Sequence, residues 1–129
     1  MRAALALVEP GMRLGLGSGR AVWAIVHELA AGALRPELVV CAGAETARLA
    51  AAAGLTVASA EHELALDLAL DGADEITRGL AVLKGGGGAL LREKLVIASA
   101  ARWVVVAETP KLVAALGERR RLPVEVVRF

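Results

Sequence analysis

Aromatic side chains are nearly missing from this sequence: two Trp, one Phe and no Tyr among 129 residues. Proteins that hold single-stranded nucleic acid stack its bases on aromatic rings, and those that hold duplexes gather Lys and Arg on one face. Neither resource is present, since 15 basic residues balance 14 acidic ones to a formal net charge of +1, and no nucleic-acid partner is expected. The one basic run, 119-RRR-121, reads as a solvated loop. Cysteine is equally scarce. Cys41 stands alone, which excludes an internal disulfide, and in the apolar run LVVC it reads as a small buried hydrophobe of a cytoplasmic protein. Long apolar runs are lacking too. Segments such as 64-LALDLAL-70 and 103-WVVVA-107 fall far short of the roughly 20 residues a bilayer requires, so no membrane partner is expected. The opening MRAALALVEPG is too short an apolar stretch for a signal peptide.

What is present is alanine-rich and regular, with 57% of residues hydrophobic. Short β-like runs alternate with helical stretches, the pattern of an α/β fold: a Rossmann-like open sheet, mostly parallel, with helices on both faces, formed by a single domain over 1–129. Strands are expected at 12–17, 37–41, 55–59, 64–70, 80–84, 103–107 and 124–129. Helices are expected at 20–32, 44–54, 89–100 and 110–117. In the first helix Val22, Ile25, Val26 and Leu29 form one apolar stripe, and Gly32 follows it. Pro110 suits a first helical turn.

Three unusual segments fall at the carboxyl ends of expected strands, where open α/β sheets collect ligands. In 15-GLGSGR-20 the dinucleotide fingerprint G-x-G-x-x-G fails, because Arg20 stands at the last glycine position and no acid closes the second strand. A glycine-rich turn before a helix still favours an anion, with a hydroxyl from Ser18 and a charge from Arg20; a bare structural turn is the alternative. In 71-DGADE-75, Asp71 and Asp74 flank Gly72 and Ala73, a pair suited either to a polyhydroxylated ligand or to a hard cation, with an ordinary type I turn as the plain alternative. In 84-KGGGGALLREK-94, Gly85, Gly86 and Gly87 offer bare backbone, and Lys84 a charge for a developing oxyanion. Glu93 falls on the flank of the helical apolar stripe, where partial burial can tune a carboxylate toward general-base work, and Lys94 projects into that stripe; a rim glutamate paired at helical spacing is the competing reading.

Together these segments resemble type A ribose-5-phosphate isomerases. The family's G-T-G-S-T, D-G-A-D-E-I, K-G-G-G-A-A-L-x-R-E-K, A-D-x-S-K and L-P-V-E-V stretches correspond in order to 17-GSGRA-21, 71-DGADEI-76, 84-KGGGGALLREK-94, 107-AETPK-111 and 122-LPVEV-126. The resemblance implies catalytic roles for Glu93, as the general base of a cis-enediolate isomerisation, and for Asp71, Asp74 and Lys84. It implies substrate contacts from Ser18, Gly19, Arg20, Ala21, Gly72, Ala73, Gly85, Gly86, Gly87 and Lys111, with no metal and no organic cofactor. The implied partner is a small sugar phosphate; separately, so apolar a composition without the family's C-terminal cover should leave a patch to bury, and a homo-oligomer of at least two copies is expected. The chain departs from the family at Arg20 and Ala21, where two hydroxyl residues are usual, at 41-CAGAET-46, which lacks a serine- and threonine-rich stretch, and at Gly88, where alanine is usual. Family members begin earlier, with a phosphate-binding lysine, and continue beyond the position of Phe129 into a second small α/β domain. The expected function is interconversion of ribose 5-phosphate and ribulose 5-phosphate in the pentose phosphate pathway. A non-catalytic sugar-phosphate-binding domain of the same fold is the alternative.

Overall fold

The computed structural model describes residues 1–59 and 65–126. In chain order its elements are α1 (Arg2–Leu5), β1 (Arg13–Leu16), α2 (Arg20–Ala31), β2 (Leu38–Cys41), α3 (Ala44–Ala52), β3 (Val57–Ala58), β4 (Leu66–Asp71), β5 (Glu75–Thr77), β6 (Val82–Leu83), α4 (Leu90–Ala98), β7 (Ala100–Val105) and β8 (Leu112–Val113), with a 3-10 turn at Thr109–Lys111. Five strands form one sheet in the order β3-β2-β1-β4-β7, and every neighbouring pair is parallel. The chain builds outward from β1 through β2 to β3, then crosses back to lay β4 on the other side of β1. That reversal puts the carboxyl ends of β1 and β4 side by side, the point where such sheets leave a crevice.

Alternation along β1 explains the layers. Leu14 and Leu16, both fully buried, face a core completed by Val22, Ile25, Val26 and Leu29 of α2, by Ala50 of α3 and by Leu68 and Leu70 of β4. Each such side chain contributes about 2 kcal/mol through its removal from water. Gly15 faces the opposite way, against α4: a Cβ there would lie 2.6 Å from Val96 Cγ1. The missing side chain lets α4 press on the sheet, where Val96 joins Val40, Ala42 and Leu66 in a second, smaller core. Cys41 is half-buried beside the larger core, and burial pushes its thiol up to about 12.

The second sheet departs from expectation. Three short strands order as β6-β5-β8, with β5 antiparallel to β6 and parallel to β8. The expected strand 80–84 shrinks to β6 and leaves the main sheet, and β5 arises inside the segment read as a loop. The helix expected over 110–117 is replaced by the 3-10 turn, β8 and turns. A side chain decides this. Glu75, 1% exposed, accepts hydrogen bonds from the backbone N–H of Gly117 at 2.6 Å, Arg119 at 2.6 Å and Arg120 at 2.7 Å. A carboxylate reached from distant sequence thus takes the Gly117 N–H, which the expected helix would have bonded within itself, and fastens the turn that follows through Arg119 and Arg120. Residues 124–126 are exposed and outside any strand; the rest of the strand expected at 124–129 lies outside the described residues, as does Leu64 at the start of the strand expected at 64–70. Glu125 instead accepts the N–H of Leu91 at 2.9 Å in the first turn of α4, satisfying one of its free donors.

Two measurements test this arrangement. Gly15→Ala forces Val96 and α4 away from the sheet, and thermal or urea unfolding should show a loss of about 1–3 kcal/mol. Burial alone would push the Glu75 carboxyl up, but its three backbone N–H bonds and the charge of Arg119 hold it below the ordinary glutamate value of 4.5. Its folded value is therefore depressed, so its contribution to stability is full above 4.5 and disappears as pH falls through the folded value. Glu75→Gln should flatten the acid limb of the stability–pH profile below about 4.5; an unchanged acid limb would contradict the assignment.

Candidate active site

The strand reversal brings three loops together. The turn after β1 carries Ser18, the turn after β4 carries Gly72 and Ala73, and the glycine turn before α4 carries Gly85, Gly86 and Gly87. Around them a pocket of about 140 Å³ is lined by Ser18, Gly19, Arg20, Ala21, Gly72, Ala73, Asp74, Lys84, Gly85, Gly87, Glu93 and Lys111, with Glu108 added. Gly86 lines an adjoining wider cavity, and Asp71 lies buried below. All fourteen residues singled out from sequence therefore fall at one place.

Lys84 is the centre of its charge pattern. Its ammonium lies 2.8 Å from Asp71 Oδ2 and 3.2 Å from Glu93 Oε2, and it donates to the Gly72 carbonyl at 2.7 Å. Both carboxylates are buried, at 1% and 4% exposure. Burial pushes the Asp71 carboxyl above its ordinary value, the hydrogen bond and charge of Lys84 oppose that, the Glu93 charge adds to it, and the N–H of Gly72 opposes it. Asp71 Oδ1 accepts that N–H at 2.6 Å and the N–H of Ser18 at 3.3 Å. Gly17 is required by this contact, since a Cβ there would fall 1.9 Å from the Asp71 carboxyl carbon. Glu93 Oε1 accepts the Ser18 hydroxyl hydrogen bond, so the carboxylate is fixed at both oxygens.

Glu93 is more enclosed than a position on the flank of the stripe implies. Buried residues on α4 are Glu93 and Val96, whereas Lys94, Leu91 and Leu95 are exposed. The expected burial of Lys94 in the stripe is thus corrected: the helix turns one step further, and its acid rather than its second lysine faces the sheet. The glycine turn explains how. Gly85 and Gly88 take φ of +111° and +72°, and Gly88 N–H donates to the Gly85 carbonyl at 3.0 Å. A left-handed residue at each end aims α4 so that Glu93 enters the pocket. Gly88, where the family usually has alanine, suits this turn, since an L side chain at that φ is strained. Asp74 accepts the Gly86 N–H at 2.7 Å, and Lys111 donates to the Ala73 carbonyl at 2.5 Å.

Sequence reading missed the other wall of the site. The wider cavity, about 810 Å³, is also lined by Glu75, Glu108, Arg119, Arg120, Arg121 and Pro123. The arginine run was visible, but nothing local in the sequence turned it toward the other loops. Among the described residues no group of three or more His, Cys, Asp or Glu is arranged to hold a metal ion, and no helix is long and apolar enough to cross a membrane.

The ribose 5-phosphate isomerase A (phosphoriboisomerase A) family model matches residues 38–129. The ribose-5-phosphate isomerase A of Roseiflexus castenholzii is 49% identical over 130 residues, covering 98% of this chain and 56% of the relative. The crystal structure of ribose 5 phosphate isomerase A from Neisseria gonorrhoeae superposes with a TM-score of 0.85 at 30% identity, over 90% of this chain and 52% of that one. A D-ribose-5-phosphate isomerase in complex with phospho-erythronic acid gives 0.85 at 30% identity, over 92% and 53%. The chain spans about half the length of the curated relatives it matches. On a family-model match over most of its length and 49% identity across nearly all of it, the chain belongs to the ribose 5-phosphate isomerase A family.

Proposed function

We propose that this chain carries the catalytic site of an aldose–ketose isomerase that interconverts ribose 5-phosphate and ribulose 5-phosphate, with Glu93 as general base. The observation that carries the reading is the buried Glu93 carboxylate, fixed by Ser18 and Lys84, facing a small pocket of bare glycine backbone. With the open-chain aldose bound, Glu93 takes the proton from C2 while the C1=O electrons move onto O1, giving a cis-enediolate. The same carboxyl returns the proton to C1, and the O2 proton moves to O1 as the C2 carbonyl forms. One base suffices because C1 and C2 are adjacent on one face of a planar intermediate. The Lys84 ammonium and the glycine N–H groups stabilise the oxyanion as it develops. Asp71 holds Lys84 in place from below. Asp74, with Lys111 nearby, is suited to the sugar hydroxyls and to ring opening.

Support for the substrate comes from the family and from the relative bound to phospho-erythronic acid, a phosphorylated sugar acid. A cytoplasmic setting fits the single unpaired cysteine. We also propose at least a dimer, because Leu91 and Leu95 on α4 and Trp103 on the edge strand β7 expose 56%, 57% and 38% of their surface.

Formation of ribulose 5-phosphate from ribose 5-phosphate should be measurable with the chain and should fall about 10²–10⁴-fold in Glu93→Gln, the range for loss of a general base. Binding of ribose 5-phosphate without turnover in the unsubstituted chain would refute the enzymatic reading. Light scattering should give a mass of two chains or more, and a monomer across the micromolar range would refute the dimer.

A further inference from the structure

The wider cavity shares Arg20, Asp74, Gly87, Glu108 and Lys111 with the pocket at Glu93, so the two form one continuous cleft. Its outer wall holds three consecutive arginines at 119–121. Like charges in a row on an exposed turn normally repel and spread into water. Here the turn is fastened from inside the protein. Glu75 lies one residue beyond Asp74, and its carboxylate takes the N–H groups of Gly117, Arg119 and Arg120. The Arg119 side chain is bound back as well, donating to the Pro110 carbonyl at 2.7 Å and lying 3.4 Å from Glu118. Among the described residues, Arg20, Arg120 and Arg121 make no side-chain hydrogen bond or ion pair.

We propose that Glu75 is a positioning residue for phosphate recognition, holding the 117–120 turn so that Arg120 and Arg121, with Arg20, meet the phosphate end of a sugar phosphate whose carbonyl end lies at Glu93. The proposal rests on the isomerase reading above and adds the element that reads the phosphate. The charge balance supports it. The cavity lining holds five cations, Lys111 and four arginines, against three carboxylates, Asp74, Glu75 and Glu108. Of these acids Glu75 is committed to three backbone N–H groups and Asp74 to that of Gly86. Guanidinium groups match phosphate oxygens in paired hydrogen bonds, and anchoring their backbone lowers the entropy lost when they close on the ligand. The same logic accounts for Arg20 standing where the family has a hydroxyl.

The test is steady-state kinetics together with calorimetric binding of ribose 5-phosphate and of ribose. Arg120→Ala/Arg121→Ala should raise KM for ribose 5-phosphate by about tenfold or more while kcat changes less than about threefold. It should also erase most of the preference for ribose 5-phosphate over ribose in binding. Glu75→Ala should reproduce the KM effect. Glu75→Gln, whose amide oxygen can still accept from Arg119 and Arg120, should recover most of it, a pattern that general destabilisation would not produce. If Glu75→Ala fails to fold by circular dichroism, the double arginine variant decides alone. A KM within twofold of the unsubstituted value in that double variant, or a loss confined to kcat, overturns the proposal. Should the unsubstituted chain show no turnover, the isomerase reading fails separately, and calorimetry still decides: equal affinity for ribose 5-phosphate and ribose overturns the proposal.

Discussion

A single ammonium group holds the site together. Lys84 sits between Asp71 and Glu93, two buried carboxylates beside the carboxyl ends of a parallel sheet, and its charge is shared between them. Removing one partner of such a buried pair costs about 3–5 kcal/mol, since the other charge is left unpaired. The neighbouring backbone is shaped to admit these groups. Gly17 makes room for the Asp71 carboxyl, the Gly72 carbonyl receives Lys84, and the glycine turn points α4 so that Glu93 arrives on the other side of the ammonium. The sheet reversal between β1 and β4 supplies the crevice in which all this fits.

The second sheet extends the same device outward. Asp74 and Glu75 are adjacent in sequence but serve different loops, one holding the glycine turn through Gly86 and the other the arginine turn through three N–H groups. Short strands β5, β6 and β8 keep both turns in register with the end of β4. Carboxylates thus act here as backbone anchors as well as chemical groups. The proposed isomerisation would need both ends of the substrate held, so that C1 and C2 stay beside one base.

The parallel sheet and its helices were legible because they depend on local periodicity. The stripe Val22, Ile25, Val26, Leu29 is buried throughout, and the nearly unbroken apolar run into Asp71 became a strand with neighbours on both sides. The residues lining the candidate pocket were legible because three short segments carried unusual chemistry at strand ends, with Lys111 added by the family resemblance. The errors share a physical origin. Residues 110–117 have helical composition, yet Glu75 and the pairing of Ile76 with Leu112 redirect their backbone. Lys94 and Glu93 differ by one step around a helix whose starting direction is set by two left-handed glycines.

The sequence by itself determined the fold class, the positions of the strand-end loops and which acidic and basic side chains those loops carry, since these follow from patterning and residue type. Only the tertiary structure decided how deeply Glu93 is buried, which two carboxylates face Lys84 and where the three arginines lie. Those outcomes depend on contacts between residues far apart in the chain: 42 to 45 positions separate Glu75 from the N–H groups it binds. Local preference fixes what each segment tends to be, but a hydrogen bond across such a span exists only after the sheet has closed.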